Sequence, residues 1–193
     1  MPFKTVRMAA VLSSLLVGGC SSLGESAASS SSASNSSHAQ LEQSARAALA
    51  QLYSSTPRAR ELGDRSVAIL VFPGILKAGL MFGGSGGNGV LFSREGRVLG
   101  YYNASAISYG LQIGAQSFSE AMFLTKPEAM NYLNSSDGWS IGAGPSVVFA
   151  DSGMARDLSS TTLRSDVYAF VFGQVGLMAG MGVQGQKITR LGS

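Results

Sequence analysis

The chain has 193 residues, of which 45% are apolar, 13% are charged and 25 are glycine. This apolar, glycine-rich composition excludes an intrinsically disordered chain. The 14 basic and 11 acidic residues give a formal net charge of +3, and the lone cysteine, Cys20, excludes an internal disulfide and a disulfide-stapled scaffold.

Residues 1–19 read as a secretory signal peptide. Lys4 and Arg7 form the basic start, and Met8 to Val17 is an apolar run too short to span a bilayer. Leu16-Val17-Gly18-Gly19-Cys20 resembles a bacterial lipobox, which implies that Cys20 becomes the acylated first residue of the mature protein. The neighbour Ser21, where inner-membrane retention favours aspartate, resembles outer-membrane sorting. A lipid-anchored protein of the bacterial cell envelope is therefore expected, at the outer membrane. Loss of Lys4 and Arg7 leaves 12 basic against 11 acidic residues, so nucleic acid is not expected as a partner.

Residues 20–38 follow as the lipidated cysteine and a tether. Ser21 to Ser37 holds ten serines in seventeen residues, a composition that predicts a flexible coil with ends roughly 20–25 Å apart. His38, the only histidine, falls at its end and reads as a solvated residue near a helix start. Residues 39–193 form the folded domain. Leu41, Ala45, Ala48, Leu49 and Leu52 share one face of a helix. Thr56-Pro57 begins a second, short helix that Gly63 ends. Val67 to Phe72 is a continuous apolar strand, broken at Pro73-Gly74. Val90–Phe92 and Val98–Tyr102 flank a tight hairpin turn at Arg94-Glu95-Gly96-Arg97. Leu99, Tyr101, Ile107, Tyr109, Leu111 and Ile113 show strand alternation, with a polar gap at Asn103 and Ser105. Ala121 to Leu124 reads as a further strand. Thr125-Lys126-Pro127-Glu128 has capping-box spacing before a helix through Leu133. The segments 139–141, 147–150, 167–172, 177–183 and 187–191 complete a strand-rich C-terminal half. Glycines recur inside these strands and permit bends. The fold class is α+β: a strongly curved antiparallel sheet, partly closed like a barrel, with a few packed helices.

Gly84-Ser85-Gly86-Gly87-Asn88-Gly89 satisfies the dinucleotide pattern G-x-G-x-x-G. A dinucleotide site needs a helix next, to place its N-terminus at the pyrophosphate, and an acid about twenty residues on. Here Val90-Leu91-Phe92 follows as a strand, and positions 104–115 hold no acid. The glycines instead let strands cross or turn where side chains would clash. Serine–histidine catalysis lacks a placed histidine, Cys20 is the anchor, and the acids are too scattered for a metal site. Asp151 and Asp157 read as turn-forming aspartates rather than a carboxylate pair. No catalytic residue, metal or cofactor is expected.

Several stretches carry a family likeness. Val67 to Pro73 runs into Leu76-Lys77-Ala78-Gly79, the glycine-rich stretch and Gly89-Val90-Leu91. Tyr109 to Gln116, Phe123-Leu124-Thr125, Gly176 to Gly180 and Gly185 to Ile188 follow in order. Over about 41–191 this resembles the SYLF domain, also called the Ysc84 actin-binding or Las17-binding domain. The resemblance implies a non-enzymatic module that binds anionic phospholipid, with phosphoinositide-like head groups. Eukaryotic members use a lysine-rich amphipathic segment near the domain start, whereas Leu41–Ser55 holds one basic residue, Arg46, with Glu42 nearby. An envelope location also separates this chain from actin, which is not expected as a partner. Candidate head-group residues are Arg58, Arg60, Arg65, Lys77, Lys187 and Arg190. Each exposed cation near an anionic surface is worth about 1 kcal/mol, against ~0.8 kcal/mol per buried methylene of an acyl anchor at Cys20. The alternative is a module that docks an envelope protein or self-associates, and a hydrolase using an unrecognised serine or aspartate is the third reading.

Overall fold

The computed structural model describes residues 26–150 and 165–192. Cys20, the signal segment, Asp151 and Asp157 lie outside the described residues. The chain divides into a unit ending at Asn35 and a larger one from Ser36 to the C-terminus. The first contributes a stretch of helical backbone, residues 26–35.

The elements run α1 (Ser26–Ser55), α2 (Pro57–Arg65), β1 (Ala68–Ser93), β2 (Val98–Leu124), α3 (Glu128–Leu133), β3 (Trp139–Ser140), β4 (Val147–Ala150) and β5 (Val167–Arg190). Helix α1 takes in residues 26–38 of the stretch read as a tether, where the backbone is helical from Ser26. Once residues 41–55 are held by packing, each added residue costs one conformation and gains one backbone bond, so serines and alanines upstream continue the helix. His38 is accordingly within the helix, and its ring stacks on Tyr101 at 3.9 Å between centroids. Gly63 lies inside α2 and is buried rather than ending it; a Cβ there would strike the Tyr53 hydroxyl. The capping box does not form. Pro127 precedes α3 without a side-chain cap, and Thr125 Oγ1 donates to the Ser165 and Asp166 carbonyls instead.

The sheet order is β1-β2-β5-β3, with β4 also on β5. All pairings are antiparallel except β4 with β5, which is parallel. The α+β fold is therefore as expected, with one parallel pairing in the curved sheet. The individual strands are longer than expected. Pro73-Gly74 does not end β1; the register shifts between Phe72 and Ile75, a bulge that accommodates the missing N–H of proline. The segments 167–172, 177–183 and 187–191 are stretches of the single strand β5, apart from Leu191, which lies just past its end.

β1 and β2 bend sharply at their midpoints. Met81 sits at φ 66°, and opposite it Gly110 and Gly114 have φ of 152° and 132°. The bend brings the first arm of β1 back over its second. A Cβ at Gly87 would lie 2.5 Å from the Gly74 carbonyl oxygen, and one at Gly89 would lie 2.5 Å from Phe72 Cδ1. The GGSGGNG stretch is thus paired strand throughout, facing residues 102–108 of β2. Gly87 and Gly89 serve a strand crossing, where only hydrogen fits.

Two cores result, one on each face of the sheet. On the outer face, Ala45, Ala48 and Leu52 of α1 and Ala59 and Leu62 of α2 pack on Ile69, Val71, Phe92, Phe123 and Phe170. On the inner face, Leu133 of α3 and Trp139 pack with Leu70, Phe72, Tyr102, Met122 and Ile188. The hairpin turn at 94–97 is as expected, with Gly96 N–H donating to the Ser93 carbonyl and Ser93 N–H to the Arg97 carbonyl.

Candidate functional site

The middle of the three-stranded ribbon reverses the usual polarity of a sheet. Strand alternation sends Ile107, Tyr109, Leu111 and Ile113 of β2 to the outer face, where they are 63–79% exposed. Their neighbours continue the surface across strands. Leu80 pairs with Ile113 and Phe82 with Tyr109, with those two rings 5.0 Å apart between centroids. Leu177 of β5, beside Ala115, is 88% exposed, and Val175 is 72% exposed. Helices α1 and α2 cover this outer face only where the strand ends pair. Among the described residues, none of the described helices contributes to the middle stretch. Large apolar side chains exposed side by side on one face mark an interaction surface, unlike singly scattered ones.

The opposite side chains of the same strands are polar. Ser108 and Gln112 are buried, and Gln112 Nε2 donates to Ser108 Oγ at 2.7 Å. Between the arms lies a cavity of ≈ 150 Å³ whose polar lining includes Lys77, Gln116, Glu120, Gln174, Gln184 and Gln186. Ile75, Phe118, Phe149 and Val171 complete its walls. A second cavity of ≈ 220 Å³ shares Phe149, Gln184 and Gln186 with it.

Among the described residues Glu120 is the one acid lining the first cavity, and it is 2% exposed. Gln186 Nε2 donates to its Oε2 at 3.0 Å, while its Oε1 is buried without a hydrogen-bond partner. Burial pushes its carboxyl up to about 7, and the Gln186 amide offsets only part of that effect. Sequence reasoning passed over Glu120. The available signal was a single charge in the apolar run Phe118-Ser119-Glu120-Ala121-Met122-Phe123.

The six candidate head-group cations are distributed over different parts of the domain. Arg58, Arg60 and Arg65 share helix α2, where Arg58 pairs with Glu61 at 3.0 Å and Arg60 lies 4.7 Å from the Tyr53 ring centre. Arg65 is exposed in the last turn of α2. Lys77 lies in the polar cavity and donates to Gln184 Oε1 at 2.9 Å. Arg190 donates to Asn134 Oδ1 at 3.1 Å. Lys187 is exposed and pairs in register with Ser105, two residues from Ile107 on the same face of the ribbon. It therefore flanks the apolar band, a placement that none of the other five has been shown to share.

Elsewhere, Lys126 and Asp166 form an ion pair at 2.6 Å that ties the start of α3 to the start of β5. The Lys126 ammonium and the Ser146 backbone and hydroxyl donors hold the Asp166 carboxyl down at about 2. Glu42 accepts from the Tyr101 hydroxyl at 2.5 Å and, with burial, raises that phenol to about 12. These contacts fasten helices and loops to the sheet, away from the band and the cavity.

Residues 105–192 match the family model Ysc84, described as Las17-binding protein actin regulator. The match takes in most of β2 and everything through β5, and leaves α1, α2 and β1 outside it. None of the curated proteins compared with the chain matches it significantly.

Proposed function

We propose, because this chain is a member of the Ysc84 (SYLF) family, that it is a non-enzymatic, lipid-anchored protein of the bacterial envelope whose domain binds phospholipid membranes. The observation that carries this reading is the inverted polarity of the ribbon, apolar outward and polar inward. Proteins that place strands against lipid have that arrangement, because hydrocarbon solvates the outward side chains. Burying one exposed leucine in hydrocarbon contributes about 1.5–3 kcal/mol, more than a surface cation supplies. Lys187 at the edge of the band adds attraction to anionic head groups. The arginines of α2 are secondary contacts in this reading.

The actin activity in the family description is not extended to this chain, since an acylated Cys20 would hold it at an envelope membrane. The second reading is a docking or self-association surface, and it uses the same exposed band. Co-sedimentation of the full chain carrying Cys20→Ser with neutral and anionic vesicles separates the two. Membrane binding predicts pelleting with vesicles, stronger when they are anionic, and its loss in Leu111→Ser/Leu177→Ser. Concentration-dependent oligomers with no pelleting would replace it with the second reading.

A further inference from the structure

We propose that the polar cavity between the two arms of the ribbon is a binding site for a small primary ammonium group, with Glu120 as its acceptor. The site is independent of membrane binding, because it lies on the opposite face from the apolar band. Its central feature is the buried Oε1 of Glu120, which has no hydrogen-bond partner. An orphaned carboxylate oxygen is expensive to leave unpaired and calls for a donor.

No described residue supplies that donor. Gln186 already serves Oε2. The cavity's own cation, Lys77, donates to Gln184. Among the described residues, the ion pairs involve Arg58, Arg97 and Lys126, none of them with Glu120. A metal ion does not fit, because the described residues contain no cluster of three ligating side chains.

The remaining lining selects the chemistry. At ≈ 150 Å³ the cavity accommodates about five non-hydrogen atoms, at about 30 Å³ for each water-sized group. Phe149, 51% exposed, is an aromatic wall shared by both cavities, and aromatic rings attract ammonium groups. Gln116 and Gln174 supply amide groups that bond a hydroxyl or an ester oxygen. A primary ammonium donates N–H to Oε1, whereas a quaternary ammonium has no N–H and leaves it orphaned. Ethanolamine is the simplest ligand of this class, either free or as a phospholipid head group.

The test follows the side-chain amide NMR signals of Gln116 and Gln186 in the full chain carrying Cys20→Ser. Ethanolamine should shift them saturably, choline should act at least tenfold more weakly, and Glu120→Gln should weaken ethanolamine by roughly tenfold or more. No saturable shift with ethanolamine, an equal response to choline, or unchanged affinity in Glu120→Gln would each overturn the proposal. The ethanolamine–choline contrast is read on the unaltered cavity, so it stands even if Glu120→Gln does not fold. Short-chain phosphatidylethanolamine producing the same shifts would support the site and assign it to a lipid head group. Shifts with free ethanolamine alone would support it and assign it to a soluble amine. Failure of vesicle pelleting leaves the ethanolamine result intact.

Discussion

Replacing Glu120 by glutamine keeps the shape of the side chain and removes its charge, and the consequence depends on pH with a definite sign. The Glu120 carboxyl is raised from 4.5 to about 7 in the native state, chiefly by burial. Below pH 4.5 it is protonated whether the chain is folded or unfolded, and it costs nothing. Between pH 4.5 and about 7 the unfolded chain releases its proton while the native state keeps it. The native state then binds more protons, so stability falls as pH rises through this window. Above about 7 both states are ionised and the cost is complete. Each tenfold change in proton affinity is worth ~1.4 kcal/mol, which places the total near ~3 kcal/mol. Urea unfolding of the parent and Glu120→Gln at pH 4.5, 6 and 8 reads this directly. The stability gap should move by ~3 kcal/mol in favour of the glutamine variant from pH 4.5 to 8. Other groups titrating in the same range cancel in the difference. Parallel pH profiles for the two proteins would refute the assignment of a buried, uncompensated carboxyl.

Gly87→Ala should cost about 1–3 kcal/mol, because its Cβ would lie 2.5 Å from a backbone oxygen of the other arm. Gly84→Ala, whose nearest contact is 3.9 Å away, should change stability little, and thermal unfolding of the pair checks the strand crossing. Leu111→Ser and Leu177→Ser should leave unfolding within ~0.5 kcal/mol of the parent, since the residues are 79% and 88% exposed. Each should nonetheless weaken vesicle binding by roughly tenfold. Trp139→Ala should cost about 3–5 kcal/mol, because the indole is 1% exposed and its Nε1 donates to the Ala143 carbonyl at 3.0 Å; chemical denaturation measures it.

Local chemistry made some of this legible in the sequence. Val67 to Phe72 reads as a strand because it is apolar throughout, as a strand covered on both faces must be. The turn at Arg94–Arg97 reads from its glycine, which takes φ 80°. Long-range geometry concealed the rest. Pro73-Gly74 and the glycine run look like interruptions until the strand is seen to bulge and cross itself. The alternation of 107–113 is visible as a pattern, but the pattern does not say which face is covered. Helices covering one end of a sheet face and leaving its middle bare write no local signature. Glu120 was hidden for a similar reason. Its significance lies in Gln186 and the cavity walls, and Gln186 is 66 positions away.

The strand order also dictates a sequence of events in folding. β1 and β2 are neighbours in the chain and close through a four-residue turn, so their pairing costs little loop entropy. β5 pairs with β2 along nearly its whole length, yet Arg190 meets Tyr102 across 87 intervening positions. Until the last residues of the chain are available, the far edge of β2 has open N–H and C=O groups beside an apolar face. That combination is a template for joining other chains. During synthesis the protein therefore passes through a stage in which the hairpin exists and its closing strand does not. The C-terminal residues Lys187 to Arg190 are in this sense the final stitch: Ile188 among them lines up with both Ala104 and Trp139, joining the two sides of the inner core. Loss of Lys187 to Arg190 would leave the Tyr102–Ser105 end of that hairpin edge open.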